Sequence, residues 1–74
     1  EFIEAEIIET SELINKSLKE SNLPKEIRIG AILRKDDIII PKSNFVFEKK
    51  DLVVFLTKRD QLGKVENLFR ISSF

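Results

Sequence analysis

Ile27-Arg28-Ile29-Gly30-Ala31-Ile32-Leu33-Arg34-Lys35-Asp36-Asp37-Ile38-Ile39-Ile40-Pro41 is the stretch whose reading decides the fold. Two aliphatic runs joined by a short polar segment read as a β-hairpin. Alternation along 27 to 34 sets Ile27, Ile29, Ala31 and Leu33 on one face. Arg28, Gly30, Ile32 and Arg34 fall on the other. Lys35, Asp36 and Asp37 supply the turn, where Asp tolerates left-handed backbone. Pro41, without an N–H, ends the second run.

The flanks supply the rest of a sheet. Leu52-Val53-Val54-Phe55-Leu56 is apolar at every position, which marks a central strand covered on both faces. Near the N-terminus Ile3, Ala5 and Ile7 alternate with Glu4 and Glu6, a half-buried strand suited to an edge. Leu13 and Ile14 anchor the polar stretch that follows. Ser17-Leu18-Lys19-Glu20 has capping-box spacing, and Asn22-Leu23-Pro24 stops its helix within about two turns. Phe45-Val46-Phe47 is a short extended piece. Thr57-Lys58-Arg59-Asp60 is a second capping box, followed by a helical stripe of Leu62, Val65, Leu68 and Phe69 that ends near Arg70. The expected fold is α+β: a small mixed β-sheet with two helices in the order β-α-β-β-(β)-β-α, forming a single domain over 1–74.

Composition narrows the function classes. A 74-residue chain without cysteine has neither disulfides nor thiolate metal sites to reinforce a marginal core. Association with a second chain is the remaining remedy, so a homodimer is expected, with the second face of the sheet covered by the partner. The opening Glu1-Phe2-Ile3, without methionine, suggests a fragment of a longer protein. Thirteen basic residues balance thirteen acidic ones, which argues against nucleic acid as the partner. Tyr and Trp are absent, and Phe2, Phe45, Phe47, Phe55, Phe69 and Phe74 stand mostly at core-like positions, so no base-stacking platform is expected. No apolar run approaches the roughly 20 residues of a membrane span.

Nothing points to catalysis. Histidine is absent. Asp36 and Asp37 diverge at a turn tip, offering neither the ligand number a hard cation wants nor a pocket that would shift a pKa. Two glycines, Gly30 and Gly63, make no phosphate loop. Arg28 and Arg34 flank Gly30 and fit either of two arrangements. They receive an anionic ligand or a partner's backbone, or Gly30 marks a bulge and the arginines pair with Glu4 or Glu6. Asp51 suits a structural job in its turn, accepting backbone N–H groups.

The succession Ile14-Asn15-Lys16-Ser17-Leu18-Lys19-Glu20, Leu23-Pro24, Ile27-Arg28-Ile29-Gly30-Ala31-Ile32-Leu33-Arg34, Ile38-Ile39-Ile40-Pro41 and Lys50-Asp51-Leu52-Val53-Val54-Phe55 resembles the TrkA C-terminal domain family. This is the C-terminal half of the regulator-of-potassium-conductance (RCK) module. The resemblance spans roughly residues 3 to 69, through the order and spacing of short aliphatic motifs. Two departures stand out. Asn15 replaces a usual Gly and supports the same positive φ. Lys50 also stands where Gly is common, which points to a local difference in that turn.

The resemblance implies a non-catalytic, cytoplasmic regulatory domain of a potassium uptake or channel system. It implies a homodimer that follows a nucleotide-binding domain on the same chain and gates an integral membrane potassium-transport subunit. No cofactor is expected in this domain; an NAD or ATP-type nucleotide belongs to the upstream one. Some members bind cyclic di-AMP between protomers through an Ile-Arg-Ala-type segment, which Leu23-Pro24-Lys25 does not match. The candidate residues for a small ligand or the dimer interface are Leu23, Pro24, Ile27, Arg28, Gly30, Arg34 and Pro41. A purely structural dimerisation domain is the alternative, as is the same module on an anion transporter or cation/proton antiporter.

Overall fold

The computed structural model describes residues 2–71, so the expectation for Phe74 lies outside the described residues. Five strands form one sheet: β1 (Phe2–Ile7), β2 (Arg28–Arg34), β3 (Asp37–Ile39), β4 (Leu52–Leu56) and β5 (Phe69–Ile71). Their spatial order is β3-β2-β4-β1-β5, and all four pairings are antiparallel. The apolar strand β4 is central, as its sequence requires. β1 is interior rather than an edge, held between β4 and β5.

The expected mixed sheet with two helices is therefore corrected to an antiparallel sheet with one short 3₁₀ helix, Arg59–Lys64. Each missing helix has a local cause. The first capping box does close: the Glu20 N–H donates to Ser17 Oγ at 3.2 Å and the Ser17 N–H to Glu20 Oε1 at 3.0 Å. It closes a turn and nothing more. The backbone around it is already committed to the segment at 43–47. The Asn15 N–H donates to Phe47 O (2.9 Å), Phe47 N–H to Lys16 O (3.0 Å) and Leu18 N–H to Phe45 O (2.7 Å), around a Ser17–Val46 bridge. Asn22, at φ 51°, and Pro24 then leave no length over which a helix could repay its nucleation.

The second box fails at the cap. The Thr57 hydroxyl donates to the Lys58 carbonyl, and Lys58, not Thr57, occupies the cap position. Leu62, Val65 and Leu68 recur every third residue, a spacing that a 3₁₀ helix and successive tight turns align as well as an α-helix does. The chain thus arrives extended at Phe69-Arg70-Ile71 and pairs with the free side of β1, with Ile7 opposite Phe69.

One face of the sheet is closed. Ile3, Ala5, Ile7, Ile32, Val53, Phe55 and Phe69 are buried there beneath Leu13, Phe47 and Val65 from the connecting segments. Aromatic contacts knit this layer, Phe55 to Phe69 at 5.5 Å and Phe45 edge-on to Phe47 at 5.4 Å. The exception among the described phenylalanines is Phe2, 74% exposed on the opposite face.

The hairpin joins β2 to β3 through Lys35-Asp36, with Arg34 opposite Asp37. It is Lys35, not an aspartate, that takes the left-handed backbone, at φ 56°. The β2–β4 register slips between Ile29 and Ala31, so Gly30 is a bulge. Its φ is not positive, and a Cβ there would meet only the Val54 carbonyl at 3.7 Å, an ordinary contact. The slip inverts the alternation. Ile29 lies opposite Phe55 and Ile32 opposite Val53, both on the closed face, while Ala31 and Leu33 turn outward. Strict alternation across the glycine thus misplaces residues 31 to 34.

Candidate functional site

The bulge separates the two arginines that alternation put together. Arg34 turns to the closed face. Its Nε and Nη2 donate to Asp51 Oδ1 and Oδ2, both at 2.8 Å, and Nη2 also donates to the Val46 carbonyl at 2.9 Å. Nη1 lies 2.9 Å from Glu48 Oε2, and the guanidinium sits 4.8 Å from the centre of the Phe45 ring. Asp51 is 1% exposed and also accepts the Glu48 N–H at 2.9 Å, the turn-holding role expected of it. The Arg34 pKa is raised further, first by its hydrogen bonds to Asp51 and against the opposing effect of burial. Through these contacts Arg34 ties the end of β2 to the 45–51 segment and acts as a structural bolt.

Arg28 turns to the open face, opposite Leu56. It is exposed and lines a pocket of about 590 Å³ with Lys25, Leu56, Lys58 and Gln61. Lys25, Arg28 and Lys58 give this pocket three cations. Its carboxylates are Asp60, which accepts from Gln61 Nε2 at 3.4 Å, and Glu26, 3.6 Å from Lys64. The Gln61 Oε1 is buried without a hydrogen-bond partner. Such a surface suits an anion carried on an apolar body that rests against Leu56.

Of the remaining candidates, Leu23 and Ile27 line a smaller neighbouring pocket of about 280 Å³ with Leu18 and Ile29. The Pro24 carbonyl accepts the Ile27 N–H at 3.0 Å, which fixes the entry into β2. Pro41, half-buried, follows β3. Gly30 shapes the strand. Of the seven candidates, Arg28 lines one pocket and Leu23 and Ile27 another, Gly30 is the bulge and Arg34 the bolt, while Pro24 and Pro41 line neither pocket. Leu56 and Lys58 carry no signal of their own in the sequence, because only the β2–β4 register brings them beside Arg28, whereas Lys25 precedes Arg28 by three residues. A third hollow, of about 530 Å³, is lined by Glu6, Glu9, Lys49, Lys50 and Arg70; its charges are mixed, and Arg70 lies 3.7 Å from Glu6.

Asp36 and Asp37 are exposed at the hairpin tip. Among the described residues no group of three or more His, Cys, Asp or Glu side chains could hold a metal ion. No helix there is long and apolar enough to cross a membrane.

The TrkA-C domain family model matches residues 2–70. Among curated proteins, the Trk system potassium uptake protein TrkA of Azorhizobium caulinodans is 40% identical over 72 residues, covering 97% of this chain and 16% of its own length. A TrkA homolog of Archaeoglobus fulgidus is 34% identical over 64 residues, covering 86% of this chain and 15% of its own length. A shorter homolog from Pyrococcus abyssi is 33% identical over 69 residues and is covered to 30%. The chain thus spans a minor part of the relatives it matches. With its match running from β1 to the middle of β5, the chain belongs to the TrkA-C domain family, whose members are non-catalytic regulatory modules.

Proposed function

We propose that this domain regulates a potassium uptake system from the cytoplasmic side, as a dimer whose arrangement is communicated to a membrane subunit through a nucleotide-binding domain of the parent protein. The observation that carries the reading is the alignment of nearly the whole chain with several Trk potassium uptake proteins. An NAD or ATP-type nucleotide would be held by that neighbouring domain. This chain contributes the regulatory surface instead: the Arg28 pocket and the adjoining Leu23/Ile27 hollow, offered to a small anionic effector. A ligand shifts such an assembly only by binding one arrangement more tightly than another. A cyclic dinucleotide has the right charge and apolar bases, although the Leu23-Pro24-Lys25 segment differs from that of the members that bind one.

The test is replacement. The matching segment of a Trk potassium uptake relative is exchanged for this chain, and growth is followed at limiting potassium. Retained, potassium-dependent growth is the expected result; a folded, expressed chimera that cannot support it rejects the reading. A thermal-shift screen with nucleotides, cyclic dinucleotides and monovalent cations then addresses the effector, because a ligand specific to the folded state raises stability by mass action. Silence across that panel favours a purely structural dimerisation domain.

A further inference from the structure

Two turns meet at the end of the sheet far from Arg28. β1 runs from Phe2, in line with Leu56 and Arg28, to Ile7, so the two ends stand roughly 17 Å apart. In the first turn the Ser11 N–H donates to the Ile8 carbonyl at 3.0 Å, with Glu9 and Thr10 at its tip. In the second the Asp51 N–H donates to the Glu48 carbonyl at 3.3 Å, with Lys49 and Lys50 at its tip. The Ile7 N–H donates to the Asp51 carbonyl at 3.0 Å and holds the two turns together. The second turn is also fixed by its own carboxylate, since Asp51 accepts the Glu48 N–H and is held by Arg34. Glu6, Glu9, Thr10, Lys49, Lys50 and Arg70 line the hollow here, of about 530 Å³, a volume within the range of small-molecule sites.

Three observations set this hollow apart from an ordinary solvated surface. Lys50 holds left-handed backbone at φ 68°, which glycine adopts freely and a lysine only under strain, so the turn carries an ammonium group at a conformational cost. The N–H groups of Glu9, Thr10, Lys49 and Lys50 have no acceptor among the described residues, and successive N–H groups of a turn form concavities that take anions. Arg70 and Glu6 answer each other at 3.7 Å, but Glu9, Lys49 and Lys50 make no ion pair among the described residues. Two ammonium groups and one carboxylate therefore border a common space without neutralising one another.

We propose that this hollow binds a free acidic amino acid, a ligand with two carboxylates and one ammonium group. Lys49 and Lys50, with the turn N–H groups, receive the carboxylates, and Glu9 receives the ammonium. A plain dianion would meet Glu9 as a like charge. A cationic ligand would meet two lysines, and a neutral zwitterion would leave one lysine unanswered. The arrangement selects among ligands more than it adds affinity, because exposed charge pairs are individually weak. The proposal is independent of the regulatory reading above and of the Arg28 pocket, which lies at the other end of β1.

Proton–nitrogen correlation spectra of the 74-residue chain, titrated with L-glutamate at low salt, test the proposal. Saturable shifts centred on the amides of Glu9, Thr10, Lys49 and Lys50 are expected, with a dissociation constant of about 1 mM or below. Glutarate, which lacks the ammonium group, and inorganic phosphate should each bind about fivefold more weakly. Lys50→Gly removes the ammonium and relieves the backbone, so it should remain folded by circular dichroism and bind L-glutamate about fivefold more weakly. Lys49→Gln, which makes no demand on the backbone, should weaken binding comparably. Glu9→Gln should abolish the preference for glutamate over glutarate. The proposal is overturned by the absence of saturable shifts at about 20 mM, or by phosphate or glutarate binding as tightly as glutamate. Unchanged binding in the lysine variants, or an unchanged preference in Glu9→Gln, overturns it as well.

Discussion

The two arginines of β2 sit six residues apart on one strand and lead opposite lives. Arg34 faces the closed side, with three hydrogen bonds, two carboxylate neighbours and an aromatic ring. Arg28 faces the open side and has no hydrogen-bond or ion-pair partner among the described residues. The closed face is a finished interior; the open one is apolar at its centre and charged at its margins. The difference teaches that a strand in a small domain can be bound into the core along one half and left open to the surface along the other. A one-residue slip at Gly30 is enough to divide the two.

The sharpest way to break the comparison is to remove each guanidinium. Arg34→Ala leaves the Asp51 carboxylate buried with only a backbone N–H, and should lower the unfolding free energy by about 3 kcal/mol in urea titration. Arg28→Ala should stay within about 0.5 kcal/mol in the isolated protomer. Comparable losses from the two would mean that the faces are not distinct in this way. The next largest contrast tests the slip itself. Ile32→Ala empties a fully buried position and should cost about 2–5 kcal/mol. Leu33→Ala, half-buried on the open face, should cost less than half as much in a monomer. Uninterrupted alternation from Ile27 demands the opposite ranking.

The smallest effect is a pH dependence in the cover of the closed face. Hydrogen bonds from the Ser17 N–H and hydroxyl hold the Glu20 pKa below its ordinary 4.5. A carboxylate with a lowered folded pKa stabilises the fold above its unfolded pKa. That contribution fades as the pH falls through the folded value. Urea midpoints should therefore decline on acidification below about pH 4.5 in the wild type, from this group together with others. Ser17→Ala should remove a small, separable part of the decline, because it takes away the hydroxyl donor. An unchanged slope in Ser17→Ala would show that the turn hydrogen bonds are not kept in solution.

Much of the architecture was legible in the sequence because it depends on local alternation. β1 has its glutamates on the open side, β4 lies at the centre, and the hairpin forms where expected, with its second strand one residue earlier, at Asp37–Ile39. Asn15 adopts the expected positive φ, at 70°. Lys50 does so as well, at 68°, so the lysine accepts left-handed backbone in that turn. The misreadings share a cause. Capping boxes and three-residue apolar spacing are signals of turn geometry. They become α-helices only when enough chain follows that no other segment claims by hydrogen bonding. Residues 15–19 were claimed by 43–47, and 69–71 by the free side of β1. The β5 alternation, Phe69-Arg70-Ile71, was visible but too short to outweigh the stripe before it. The candidate site was legible only in part, since Arg28 is a strand residue with Lys25 three residues before it, while Leu56 and Lys58 join them through the β2–β4 pairing.

The position of β1 has a kinetic consequence. It is made before the other four strands of the sheet, yet its partners, β4 and β5, are the last two. Until residues 52–71 emerge, β1 has no native neighbour, and loop closure across nearly the whole chain must precede its pairing. A nascent strand that waits so long is at risk of sticking to other chains. Glu4 and Glu6, alternating with its isoleucines, are the kind of charges that keep an unpaired strand from doing so.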